Sequence, residues 1–124
     1  MAKAAPLKIL IVDDHAAMRR IVRQLFDEQD VTFLEATTGE AAAQRFATEH
    51  PDWVVMDLRM PGMGGLKATA AIRQLDPQAR VVIISQFHHP ETAEQARQAG
   101  AVEFVNKEDL HQLPQIIRRL EAQL

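Results

Sequence analysis

The sequence contains no cysteine. Disulfides, thiolate zinc sites, iron–sulfur clusters and cysteine nucleophiles are therefore excluded together. A chain of 124 residues needs no such staples, because a domain of that size buries roughly two-thirds of its unfolded surface. Long hydrophobic runs are missing too. The longest, such as Ile9 to Val12 and Val81 to Ile84, fall far short of the roughly 20 residues that span a bilayer. The opening segment Met1-Ala-Lys-Ala-Ala-Pro6 has no apolar stretch like that of a secretion signal. The expectation is a soluble, cytoplasmic protein with no membrane association. Charge of either sign is scarce in excess: 14 Lys and Arg stand against 17 Asp and Glu, a net of −3. Phosphate backbones call for a cationic surface, so direct nucleic-acid binding is not expected. Apolar residues at 47% and charged residues at 25% are ordinary for a single globular domain and argue against disorder, collagen or coiled coil.

What is present is an alternation of two periods. Lys8–Val12, Val31–Leu34, Trp53–Met56, Val81–Ile84 and Glu103–Val105 are short and β-branched. Most are continuously apolar, as parallel strands covered on both faces must be. Between them run helical patterns. Met18, Ile21, Val22, Leu25 and Phe26 follow the spacing of one helix face. Ala41–Phe46 is entered through Thr38-Gly39, and Leu66–Leu75 stops before Asp76-Pro77. A fourth helix opens on Pro90 and ends at Gly100, with only Ala93, Ala96 and Ala99 as its apolar stripe. Leu110, Leu113, Ile117, Leu120 and Leu124 line a fifth, with Pro114 in or just past its first turn. The pattern predicts an α/β fold of (βα)5 type, an open parallel sheet with helices on both faces.

In such sheets ligands bind outside the carboxyl ends of the strands. Asp13 and Asp14 follow the first strand, Asp57 the third, Ser85 the fourth and Lys107 the fifth. Crowded carboxylates raise the cost of each other's ionisation, so either their pKa values rise or a cation joins them. An all-oxygen donor set suits Mg²⁺. A carboxylate beside such an ion and a Lys can also act as a nucleophile toward phosphorus. Taken singly, each residue has a plainer role: Asp14 as a cap of the first helix, Ser85 as a turn residue, Lys107 as a solvated side chain. Their convergence on one edge favours a site. His15 reads as a surface residue of the loop or first turn rather than a metal ligand, and His88-His89 as an exposed loop. Trp53, roughly 13 Å along the strand from Asp57, reads as packing at the far rim, and Arg118 and Arg119 as a solvated face.

Three blocks, Ile9-Leu-Ile-Val-Asp-Asp14, Val55-Met-Asp-Leu-Arg-Met-Pro-Gly62 and Phe104-Val-Asn-Lys107, resemble the signature blocks of receiver domains of two-component response regulators. The resemblance runs from about Lys8 to about Leu120. It implies a flavodoxin-like five-stranded parallel sheet in the order 2-1-3-4-5, and a single receiver domain over 1–124 with its core at about 7–123. It implies that Asp57 is the phosphoacceptor. Asp14, Asp57 and the backbone carbonyl of Arg59 would hold Mg²⁺ (or Mn²⁺ in its place), with Asp13 acting mainly through water. Lys107 would pair with the acceptor and then with the phosphoryl group, Ser85 would be the switch hydroxyl, and Phe104 the switch aromatic. The donor would be a histidine kinase or a histidine phosphotransfer protein. Phosphorylation would alter the surface of helix 4, strand 5 and helix 5 and so control an output partner, a C-terminal DNA-binding domain absent from this sequence, or a phosphorylation-linked homodimer. Such a chain is not an enzyme beyond its own phosphorylation and dephosphorylation. Asp-Asp-His15, Met-Pro-Gly-Met63 and the acidic Glu108 after Lys107 look most like receivers of the LuxR-type helix-turn-helix subfamily. Gln86 stands where the family usually has a small residue, and could narrow access to Asp57.

Two other functions compete. A pseudo-receiver would bind partners without phosphoryl chemistry, against which the intact Asp13, Asp14, Asp57, Ser85 and Lys107 set argues. An aspartyl-phosphate phosphatase would have a second Asp two residues after its nucleophile, where this chain has Arg59. With Asp13, Asp14 and Asp57 set aside, acidic and basic residues balance, so the whole net charge of −3 is numerically equal to that one edge.

Overall fold

A computed structural model describes residues 6–27, 30–86 and 89–124. Its five strands are β1 (Leu7–Val12), β2 (Val31–Ala36), β3 (Trp53–Asp57), β4 (Val81–Ser85) and β5 (Glu103–Asn106). They form one parallel sheet in the order β2-β1-β3-β4-β5. The helices are α1 (Ala16–Gln24), α2 (Gly39–Glu49), α3 (Gly64–Leu75), α4 (Pro90–Ala99) and α5 (Leu113–Ala122). A 3₁₀ helix, Lys107–Gln112, joins β5 to α5. Thr38 caps α2 by accepting from the Ala41 amide at 3.0 Å, and Gly100 ends α4 with a left-handed φ of 108°.

Strand residues divide by parity, as the two-residue repeat requires. Ile9, Ile11, Trp53, Val55, Val82 and Ile84 pack with Val22 of α1 and with Leu113 and Ile117 of α5. Leu10, Val12, Val54, Met56, Val81 and Ile83 pack with Ala42 and Phe46 of α2, Ala68 and Ile72 of α3, and Ala96 of α4. β3 and β4 are buried along their whole length, and each Val or Ile so enclosed contributes about 1.5–3 kcal/mol. α4 brings only Ala96 fully into this layer, in keeping with its alanine stripe.

Three local expectations are corrected. The expected fifth helix is split. Pro114 has no amide hydrogen to donate to Leu110, Leu113 donates to the Leu110 carbonyl instead, and Asp109 leaves helical geometry. Leu124 is not on the core face: it follows α5 and is 71% exposed. Asp14 does not cap α1. His15 occupies the cap position, with no side-chain cap bond.

Candidate functional site

The parallel register delivers the side chains singled out above to one edge. Asp57 and Ser85 are the last residues of β3 and β4, and Lys107 follows β5 directly. Asp57 shares the parity of Trp53 and Val55, whereas Ser85 shares that of Val81 and Ile83. Asp57 therefore rises from the α1–α5 side of the sheet and Ser85 from the α4 side.

Asp13, Asp57 and Ser85 are all buried. The Lys107 ammonium lies 3.1 Å from Asp57 Oδ1 and 3.9 Å from Asp13 Oδ2. Burial pushes the Asp57 carboxyl above the ordinary carboxylate range, the charge of Asp13 adds to the rise, and the Lys107 bond opposes it. Asp13 Oδ1 accepts from the His15 amide at 2.9 Å, while its buried Oδ2 has no hydrogen-bond partner. Such an orphaned anionic oxygen is costly unless something cationic reaches it. The His15 ring, largely exposed, places Nδ1 3.3 Å from Asp13 Oδ1 and 3.2 Å from Asp14 Oδ1. Among the described residues, Asp13, Asp14 and His15 form a group whose ligand atoms lie within 4.8 Å of one another. Asp57 is outside that group and is linked to it through Lys107. These oxygens, one of them unsatisfied, fit a hard divalent cation.

A cleft of about 390 Å³ opens onto this edge, lined by Asp57, Ser85, Lys107, Arg59, Gln86 and the apolar Met18 and Ile21 of α1. Gln86 is exposed and does stand at the mouth. Phe87 and His88 lie outside the described residues, and His89 is the exposed cap of α4. Phe104 is half-buried against the α2–α3–α4 layer and borders a shallow groove with Ala93, Ala96 and Ala101.

Two features have no counterpart in the sequence reading. An added Cβ at Gly65 would sit 2.3 Å from the Asp57 carbonyl oxygen. The start of α3 thus closes directly on the Asp57 backbone, and its only sequence trace is the Gly64-Gly65 pair. Arg19 donates to the Asp13 carbonyl at 2.8 Å and to Glu35 of β2 at 2.7 Å.

Comparison with known proteins agrees with this geometry. The family profile described as response regulator receiver domain matches residues 9–118. The chain is 38% identical to the regulatory protein AtoC of Escherichia coli over 90% of its own length, but spans only 24% of that protein. It is 37% identical to the chemotaxis protein CheY of Bacillus subtilis, over 81% of this chain and 84% of that one. Among solved structures, a LuxR-family two-component response regulator from Aurantimonas sp. SI85-9A1 superposes with a TM-score of 0.89 at 35% identity, covering 96% of this chain and 87% of the other. The fold, the order of the strands and the family profile converge on one conclusion: this chain belongs to the receiver domains of response regulators, the phosphoacceptor modules of two-component signalling.

Proposed function

We propose that Asp57 accepts a phosphoryl group and that its arrival switches the α4–β5–α5 surface. The observation that carries this reading is the buried Asp57 carboxylate, held at 3.1 Å by Lys107 and lining a cleft open to solvent. An oxygen of Asp57 forms the new P–O bond as the P–N bond of a donor phosphohistidine breaks, and the departing imidazole takes the electron pair and a proton from water. The donor is a histidine kinase or histidine phosphotransfer protein, whose imidazole reaches the cleft past Met18 and Ile21. Asp14, Asp57 and the Arg59 carbonyl would hold Mg²⁺ or Mn²⁺, with Asp13 acting mainly through water, and the ion would supply charge neutralisation at the acidic edge. Lys107 transfers its bond from the carboxylate to a phosphoryl oxygen. The chain's chemistry is confined to its own aspartate.

The phosphoryl group brings about −2 charge and three acceptor oxygens. Ser85 donates its hydroxyl to one of them, a charge-assisted bond of about 1.5–3 kcal/mol. Because Ser85 belongs to the α4 side, that bond draws the end of β4 inward and opens room for Phe104 to rotate. α4, anchored by little more than Ala96, is the compliant element. The receiver occupies the chain from about 7 to 123. Its output is a partner protein, a DNA-binding domain on a longer product, or a second copy of itself, rather than nucleic acid directly. Among the described residues no helix is long and apolar enough to cross a membrane, in keeping with a cytoplasmic setting.

Titration with beryllium trifluoride and Mg²⁺ tests this reading by NMR. Resonances of Phe104 and α4 should shift in the parent, shift much less in Ser85→Ala, and stay still in Asp57→Asn. Equal shifts in all three proteins would refute the assignment.

A further inference from the structure

Asp14 sits just past the end of β1, beyond the last ladder bond, which Asp13 N–H makes to the Ala36 carbonyl at 3.1 Å. The peptide plane it shares with Asp13 fixes the position of its Cα. The oxygen of that plane is the Asp13 carbonyl, and Arg19 Nη1 donates to it at 2.8 Å. The same guanidinium is braced through Nε on Glu35 Oε1 at 2.7 Å, and Arg23 holds the other Glu35 oxygen at 3.0 Å. Glu35 pairs in register with Ile11, so the brace is anchored in the sheet itself. Arg19 is only 16% exposed, against 49% for Arg23. A rigid planar fork held at two separate anchors fixes direction in a way that a flexible ammonium does not.

We infer that Arg19 is a positioning residue for the metal site. It locks the Asp13–Asp14 peptide so that the Asp14 carboxylate is already aimed when the divalent cation arrives. This inference rests on the reading of the acidic edge as a Mg²⁺ site. The alternative, a purely electrostatic influence, has the opposite sign. Arg19 is a cation near a cation site, so removing its charge alone would tighten Mg²⁺ binding, whereas removing the clamp weakens it. Groups that orient metal ligands from behind typically govern about 10- to 100-fold in affinity.

The experiment is calorimetric titration of Mg²⁺, repeated with Mn²⁺ by electron paramagnetic resonance, on the parent, Arg19→Gln and Arg19→Lys, with urea denaturation of each protein alongside. Arg19→Gln should bind both ions about 10-fold more weakly under conditions where it remains folded. Arg19→Lys should be weakened as well, because it keeps the charge but loses the fork. Affinity in Arg19→Gln equal to or tighter than the parent, or full recovery in Arg19→Lys, overturns the clamp alone. A parent that binds neither ion overturns the metal site and the clamp together. Should the Arg19 variants fail to fold, Glu35→Ala removes the brace and should show a smaller loss in the same direction; unchanged affinity there overturns the inference.

Discussion

The two ends of the sheet treat charge in opposite ways. At the amino-terminal rim, Trp53 is fully buried and donates its indole N–H to Glu121 of α5 at 2.6 Å. Arg80 stacks over the same ring at 5.2 Å and lies 3.7 Å from Glu121. Cation, anion and aromatic ring close on one another. At the carboxyl edge, Asp13 and Asp57 share the Lys107 ammonium, Asp14 stands beside Asp13, and one buried oxygen of Asp13 has no hydrogen-bond partner. The closed end ties α5 to the sheet, and the open end leaves buried negative charge only partly compensated. Like charges gathered at one edge of the sheet, against opposite charges paired at the other, mark the first as a site.

The largest effect should come from the closed end. Trp53→Ala should cost about 3–5 kcal/mol of stability and yet leave Mg²⁺ affinity in the folded protein unchanged; a matching loss of affinity would break the separation of the two ends. Lys107→Ala should cost about 2 kcal/mol, since it strips a hydrogen bond from a buried carboxylate, and should abolish the response to beryllium trifluoride. Asp57→Asn should act in the opposite direction, raising stability at pH 7 by less than Lys107→Ala costs, as read by urea denaturation. The sign follows from the raised Asp57 carboxyl. Its protonated form is favoured by folding, so that stability is fully present below the ordinary unfolded value and is lost as pH rises through the folded one. The advantage of Asp57→Asn over the parent should therefore shrink as pH falls through that window. An advantage that grows toward low pH would contradict the electrostatic account of the edge.

Much of this was legible in the chain. Continuously apolar strands separated by helical periods leave few architectures open, and a parallel sheet delivers the residue after each strand to one edge. Asp13, Asp57, Ser85 and Lys107 could thus be gathered without coordinates. The Arg19–Asp13 and Trp53–Glu121 bonds could not, because a side-chain pair between distant segments leaves no periodic trace. Neither could the approach of Gly65 to the Asp57 backbone, since a glycine pair at a helix start also reads as a simple turn. The break before α5 was hidden because a leucine period of three to four continues through it, while the missing amide of Pro114 interrupts the hydrogen-bond ladder. Leu124 kept the period but lies past the last turn of α5, off the core face.

The most direct measurement is intact-mass spectrometry after incubation with acetyl phosphate and Mg²⁺, with the modified residue located by peptide mapping. Asp57 as acceptor predicts one added phosphoryl group on that residue, lost when the metal is chelated and absent from Asp57→Asn. A parent that gains no phosphoryl group, or an Asp57→Asn variant labelled as fully as the parent, would contradict it.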